Sequence, residues 1–266
     1  MKRFGFLLMP LLAILVGTTL IPKVLYGGTS PITLVLVALA LAGVTYALRP
    51  RNTATKSTQQ VMEDILDDFC RDAFAENDDL GKKYLSAISD IGNNMPKNAL
   101  SKLEKLEARC ATNSQKYAVA LATAHCHKRA QDFKKMIRQL NKAIVLNPTA
   151  DLAYQLGDCH QRLGELDKAR DSYEFAMELD PSNPQYPSSI GTTYVGDGRY
   201  DMALHYAQDA LDIDETFAQA LATCAISYGM KRDSEMYSIY LEKAADQGYS
   251  RDKIETTVKT LKKRER

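Results

Sequence analysis

Two short clusters carry the side chains best suited to chemistry: His125-Cys126-His127 and, one repeat later, Cys159-His160. Thiolates and imidazoles are the usual ligands of zinc, so a metal site, and with it a metal-dependent hydrolase, is the first reading to weigh. Adjacent residues of a helix point in different directions, however, so His125, Cys126 and His127 cannot all converge on one ion. Other catalytic signatures are missing from the chain. It contains neither GxGxxG nor GxxxxGKS/T to cradle a phosphate, and neither HExxH nor GxSxG. Gly196-Asp197-Gly198 reads as a turn between helices, and no aromatic and basic stripe of the kind that holds single-stranded nucleic acid is present. The residues therefore imply no enzyme, no cofactor, no bound metal and no nucleic-acid partner.

The elements that position these clusters follow from a repeat. Laying Ala150–Asn183 on Pro184–Phe217 is a shift of 34 residues, and it superposes Gly157 on Gly191, Gly164 on Gly198, Asp167 on Asp201, Ala169 on Ala203, Ala176 on Ala210 and Asp180 on Asp214. In the first copy Tyr154, Gly157 and His160 share one helical face, and Gly164 sits where a positive φ costs little. Ala169, Tyr173, Ala176 and Leu179 form the apolar stripe of a second helix, with Asp167 in its first turn and Pro181 after its end. Gly157 and Ala169 leave room for two backbones to approach, and Tyr173 fills the gap beside them. The second copy departs by placing Ala207 where the first has an aromatic, and Glu215 where it has Pro. A 34-residue period made of two helices resembles the tetratricopeptide repeat. The resemblance implies an all-α fold, a TPR-type right-handed α-solenoid.

Units are expected over about 117–149, 150–183, 184–217 and 218–248, with Tyr237 out of pattern in the last. Its end, Tyr240–Gly248, resembles the closing half of a Sel1-like repeat. A capping helix, Arg251 to Leu261, closes the solenoid of 117–266. Before it, 61–116 is expected to be a helical cap or degenerate repeat. That region opens with an amphipathic helix, Val61 to Leu80, which has an anionic face. The pair Lys82 to Ile91 and Lys97 to Cys110 follows, split by Gly92-Asn93-Asn94-Met95-Pro96. In this frame the Cys/His clusters fall at matching places of successive first helices, and His127 and His160 take a core position that Tyr194 and Tyr228 fill later.

Overall composition is that of a globular protein, 45% apolar and 25% charged with net charge +1, but the first 50 residues are nearly all apolar. Phe4–Ile21 and Ile32–Leu48 are runs of 18 and 17 residues, near the lower end of the ~17–25 that cross a bilayer. Residues 1–50 are thus expected to be a two-helix transmembrane anchor, and the polar stretch 51–60 a linker. Lys2 and Arg3 precede the first run, Arg49, Arg51 and Lys56 follow the second, and only Lys23 lies between. Excess positive charge stays inside, so both termini are expected to be cytoplasmic, at a bacterial-type inner membrane. Five scattered cysteines without a CxxC spacing agree with a reducing compartment.

The resemblance implies binding: first helices of such units line a concave groove that takes an extended peptide or a helix of a protein partner. Here the lining would comprise His125, Lys128, Arg129, Tyr154, Asp158, Gln161, Arg162, Ser188, Thr192, Val195, Ala222 and Ile226, basic and polar at its N-terminal part and apolar at its C-terminal part. One subclass of the family grips a C-terminal carboxylate with Lys and Asn. Leu121, His125, Gln155, Gln185 and Ser189 stand near those places, so that clamp is not expected. The expected function is a membrane-anchored scaffold or adaptor. The alternative is an assembly or envelope-biogenesis subunit whose hairpin packs with other membrane proteins through Gly17, Gly43 and the Ala-rich second run. Homo-oligomerisation is compatible with either.

Overall fold

The computed structural model describes residues 73–74 and 79–265. The two apolar runs and most of the Val61 to Leu80 segment lie outside these residues. Among the described residues no helix is long and apolar enough to cross a membrane. Eleven α-helices follow one another there: α1 (Asp79–Gly92), α2 (Pro96–Glu107), α3 (Asn113–Arg129), α4 (Phe133–Leu146), α5 (Ala150–Arg162), α6 (Leu166–Leu179), α7 (Gln185–Gly196), α8 (Tyr200–Ile213), α9 (Ala218–Lys231), α10 (Ser234–Asp246) and α11 (Arg251–Arg264). The starts are marked locally. Thr112 and Gln115 form a reciprocal capping box on α3, while Asp132, Thr149, Asp233 and Ser250 accept from the first-turn amides of α4, α5, α10 and α11.

Helices pair as α1/α2, α3/α4, α5/α6, α7/α8 and α9/α10, and each pair packs on the next. The degenerate stretch is therefore built as a fifth hairpin of the same kind. The turn inside every pair holds one residue at positive φ: Asn94 (61°), Gln131 (56°), Gly164 (76°), Gly198 (73°) and Arg232 (64°). Glycine is present in only the two strongest repeats, yet the backbone does the same thing in all five. Seven residues before that point each first helix presents a small residue, namely Ala87, Ala124, Gly157, Gly191 or Ala225, and all five are buried. Nine residues after it the second helix presents Leu103, Leu140, Tyr173, Ala207 or Leu241, again buried.

Where the pairing departs from its pattern, the packing compensates. Tyr237 occupies the place of Ala169 and Ala203, five residues after the turn. A Cβ on Gly229 would lie only 2.9 Å from its ring and 3.1 Å from Val258 of α11. The ring is accommodated because the first helix gives up a side chain facing it. Joints between units vary too. Arg170 on α6 is buried and donates to Asp197 (2.7 Å) and Thr193 (3.3 Å) of the following pair, with Asp167 on its other side. Its guanidinium lies 4.5 Å from the centroid of Tyr194. The corresponding places hold Ile137 and Leu204, so among the described residues only this joint carries a buried cation; its partner Asp167 is exposed and the side chain of Asp197 half-buried.

The left-handed turn residues give a direct test. Gln131→Gly and Arg232→Gly should each raise stability by about 0.5–1 kcal/mol, and Gly164→Ala and Gly198→Ala should lower it by about as much. Chemical denaturation of the four variants measures this, and the reverse order would mean that the turns impose no such constraint.

Candidate partner-binding groove

Neighbouring first helices approach one another at α1 with α3 and, most closely, at α7 with α9, whereas second helices pack chiefly on first helices. The first helices therefore form the inner side of the stack. The twelve side chains expected to line it divide sharply between the two ends.

At the N-terminal end they are accessible. Lys128, Arg129 and Arg162 are exposed, and His125, Tyr154, Asp158 and Gln161 are half-buried. Several are held in place. Arg162 Nε donates to Asp158 Oδ2 at 3.0 Å, and its guanidinium lies 5.4 Å from the Phe133 centroid. Tyr173 donates to Gln161 Oε1 (2.8 Å), and Gln185 Nε2 donates to the Tyr154 hydroxyl (3.0 Å), whose ring packs on Tyr173 and Tyr186. Arg129 donates to Asn94 Oδ1 at 2.6 Å, tying α3 back to the first turn. Between α3 and α5 opens a cleft of about 160 Å³ lined by Lys128, Gln131, Phe133, Met136, Gln155 and Arg162, among others. Gln131, Phe133, Met136 and Gln155 were not among the expected lining residues. They come from the turn, the second helix and a neighbouring turn of the first helix, which a list of first-helix positions leaves out.

At the C-terminal end the expectation needs correcting. Ser188 (0% exposed), Val195 (7%) and Ala222 (1%) offer almost no surface, while Thr192 and Ile226 are half-buried. One cause is small side chains that draw α7 and α9 together, since a Cβ on Gly191 would come within 3.4 Å of Thr223. The other is α11, which packs on α9 more than on α10. Leu261 and Ile226 lie against the cluster that holds Val195, and Tyr200 donates to Glu265 at 2.8 Å. The apolar part of the lining is thus core, covered by the last helix.

The Cys/His clusters behave as parts of the helix pairs. His127 and His160 are both buried at 9% exposure, and His160 Nδ1 lies 2.7 Å from Glu165 Oε2 at the start of the next helix. That contact, with Lys168, holds the Glu165 carboxyl below its ordinary range. Burial lowers the His127 imidazole below its ordinary value, against the pull of Asp132. Among the described residues no three His, Cys, Asp or Glu side chains are placed to share an ion. Burial pushes the thiols up, Cys126 to about 12, Cys159 to about 11 and Cys224 to about 12.

Because the thiolate is the reactive form, those three cysteines should resist alkylation at pH 8 in the native protein and react fully after denaturation. Mass-spectrometric mapping of iodoacetamide adducts reads this out, and native labelling of Cys126 or Cys159 at the rate of a free thiol would contradict it.

Residues 148–216 match the tetratricopeptide repeat family model. The BBSome complex member BBS4 of Bos taurus is 33% identical over 97 residues, covering 36% of this chain and 18% of that one. The chain thus spans less than a fifth of the length of this curated relative. Among solved structures, MamA superposes with TM-score 0.55 at 19% identity over 60% of this chain and 93% of its own. YrrB, a tetratricopeptide protein with an unusual peptide-binding site, superposes with TM-score 0.55 at 18% identity over 79% of this chain and all of its own. At such identities the structures establish the fold, an all-α helical solenoid. Within that solenoid, the stretch 148–216 is the part that matches the tetratricopeptide repeat.

Proposed function

We propose that this chain is a membrane-anchored scaffold, without catalytic activity of its own, that captures a protein partner in the open N-terminal half of its groove. The observation that carries the reading is the accessible, positively charged and pre-positioned surface formed by Lys128, Tyr154, Asp158, Gln161 and Arg162 on two successive first helices. A preformed surface of this kind binds a partner at lower ordering cost than a mobile one. The peptide-binding site of YrrB, on a similar fold, supports the same use. The anchor is supported by the lengths of the two apolar runs, and the cytoplasmic placement of both termini at the inner membrane by the flanking Lys and Arg residues. The closing stretch Tyr240–Gly248, with Gly248 at φ 85°, is read as Sel1-like.

Crosslinking in native membranes followed by mass spectrometry tests this. Lys128→Ala with Arg162→Ala should remove the captured partner, while deletion of residues 1–50 should leave capture intact in a soluble form. An unchanged partner set in the double variant would overturn the groove assignment. Loss of the complex only on deleting 1–50 would favour an assembly subunit held by its hairpin.

A further inference from the structure

The cleft between α3 and α5 has features that a generic groove face lacks. Its floor is apolar, from Phe133, Met136 and the buried Cys159, and its rim is cationic. Arg162 is fixed from two sides, by the Phe133 ring at 5.4 Å and by Asp158 at its Nε. That carboxylate engages Nε, and among the described residues the two terminal amino groups of the guanidinium have no hydrogen-bond partner; they form the edge that grips a carboxylate through two parallel bonds. Asp158 thus orients the cation while leaving its working edge open. Across the cleft Lys128 is exposed and has no ion-pair partner among the described residues. The amide nitrogen of Gln155 is taken by Asp151 at 2.7 Å, which leaves the amide oxygen as the group it can offer, an acceptor. Gln131, on the left-handed turn, supplies a second amide on the rim.

We infer that this cleft is the specificity pocket of the groove and takes one Glu or Asp side chain of an extended partner peptide. The carboxylate sits between Lys128 and Arg162, with the Gln155 oxygen accepting from the peptide backbone. Its volume of about 160 Å³ suits a single side chain rather than a helix. The site differs in its residues from the terminal-carboxylate clamp, because the acid is internal to the peptide and the grip is an arginine braced on an aromatic ring. The inference rests on the groove reading above and specifies the class of partner.

The test is a positional peptide library, with each residue type fixed in turn, probed with the full chain purified in mild detergent. The wild type should select Glu or Asp at one position. In Arg162→Gln, and in Lys128→Gln, binding of the best acidic peptide should fall about tenfold, the size expected for a lost charge-assisted bond. The peptide with Gln in place of the acid should bind wild type and variants equally. Circular dichroism confirms that the variants fold. If peptides bind but the acid is not selected, or selection survives both substitutions, the pocket assignment is overturned and the groove reading stands. If no peptide binds the wild type, both fall.

Discussion

The fold depends on the closeness of two backbones at one crossing per helix pair. On the first helix the crossing residue has almost no side chain, and on the second a residue of complementary size fills what remains. Gly157 shows the limit. A Cβ there would stand 2.5 Å from Cε1 of Tyr173, far inside van der Waals contact, so the aromatic ring is admitted only because glycine faces it. Where the small residue is alanine, the partner is leucine: Ala87 with Leu103, Ala124 with Leu140, Ala225 with Leu241, each pair within one buried cluster. Packing at interior density leaves no slack for both members to be large. The exchange of bulk across the crossing is what keeps four of the five pairs, different in sequence, in one geometry.

The pair α7/α8 has small residues on both sides, Gly191 and Ala207, and its neighbours respond. A Cβ on Gly191 would lie 3.1 Å from the Ala203 carbonyl oxygen, so α8 has closed up against α7 by its backbone. On the inner side α7 and α9 come together as well, and α11 lies over their far end through Leu261, Val258 and Ile254. The groove is therefore asymmetric for a reason of packing. Its C-terminal half is consumed as core, and its N-terminal half, where α3 and α5 stand apart, stays open with its cations on the rim. The same local rule that builds the solenoid decides which part of it can meet another chain.

Much of this was legible beforehand, because backbone proximity leaves a mark in sequence. The recurrence of Gly and Ala, the turn glycines and the Gly157–Tyr173 pairing all correspond to residues that only a small side chain or a positive φ allows. The degenerate first pair and Gln131 or Arg232 in the turns were harder to read, since there the backbone holds its shape against residues that do not advertise it. Tyr237 is out of pattern by repeat position, and what makes room for it is Gly229, one turn away from the expected small site. For the groove, Lys128 and Arg162 stand at repeat positions that the structure leaves exposed, and Asp158 at one it leaves half-buried. Repeat position could not reveal that Ser188, Val195 and Ala222 are buried, because that depends on how closely α7 and α9 approach and on α11, which lies outside the repeat. Nor could it reveal that Phe133 and the two glutamines complete a cleft, which depends on the spacing between units.

The paired-size rule is most directly measured by a double-mutant cycle at one crossing. Gly157→Ala should cost about 2 kcal/mol in the wild-type background, where the new methyl meets the Tyr173 ring. Combined with Tyr173→Leu it recreates the Ala124 and Leu140 combination, and the same substitution should then be nearly neutral, giving a coupling of at least about 1 kcal/mol. An equal cost of Gly157→Ala in both backgrounds would contradict the account, because the two side chains would then not share one fixed space.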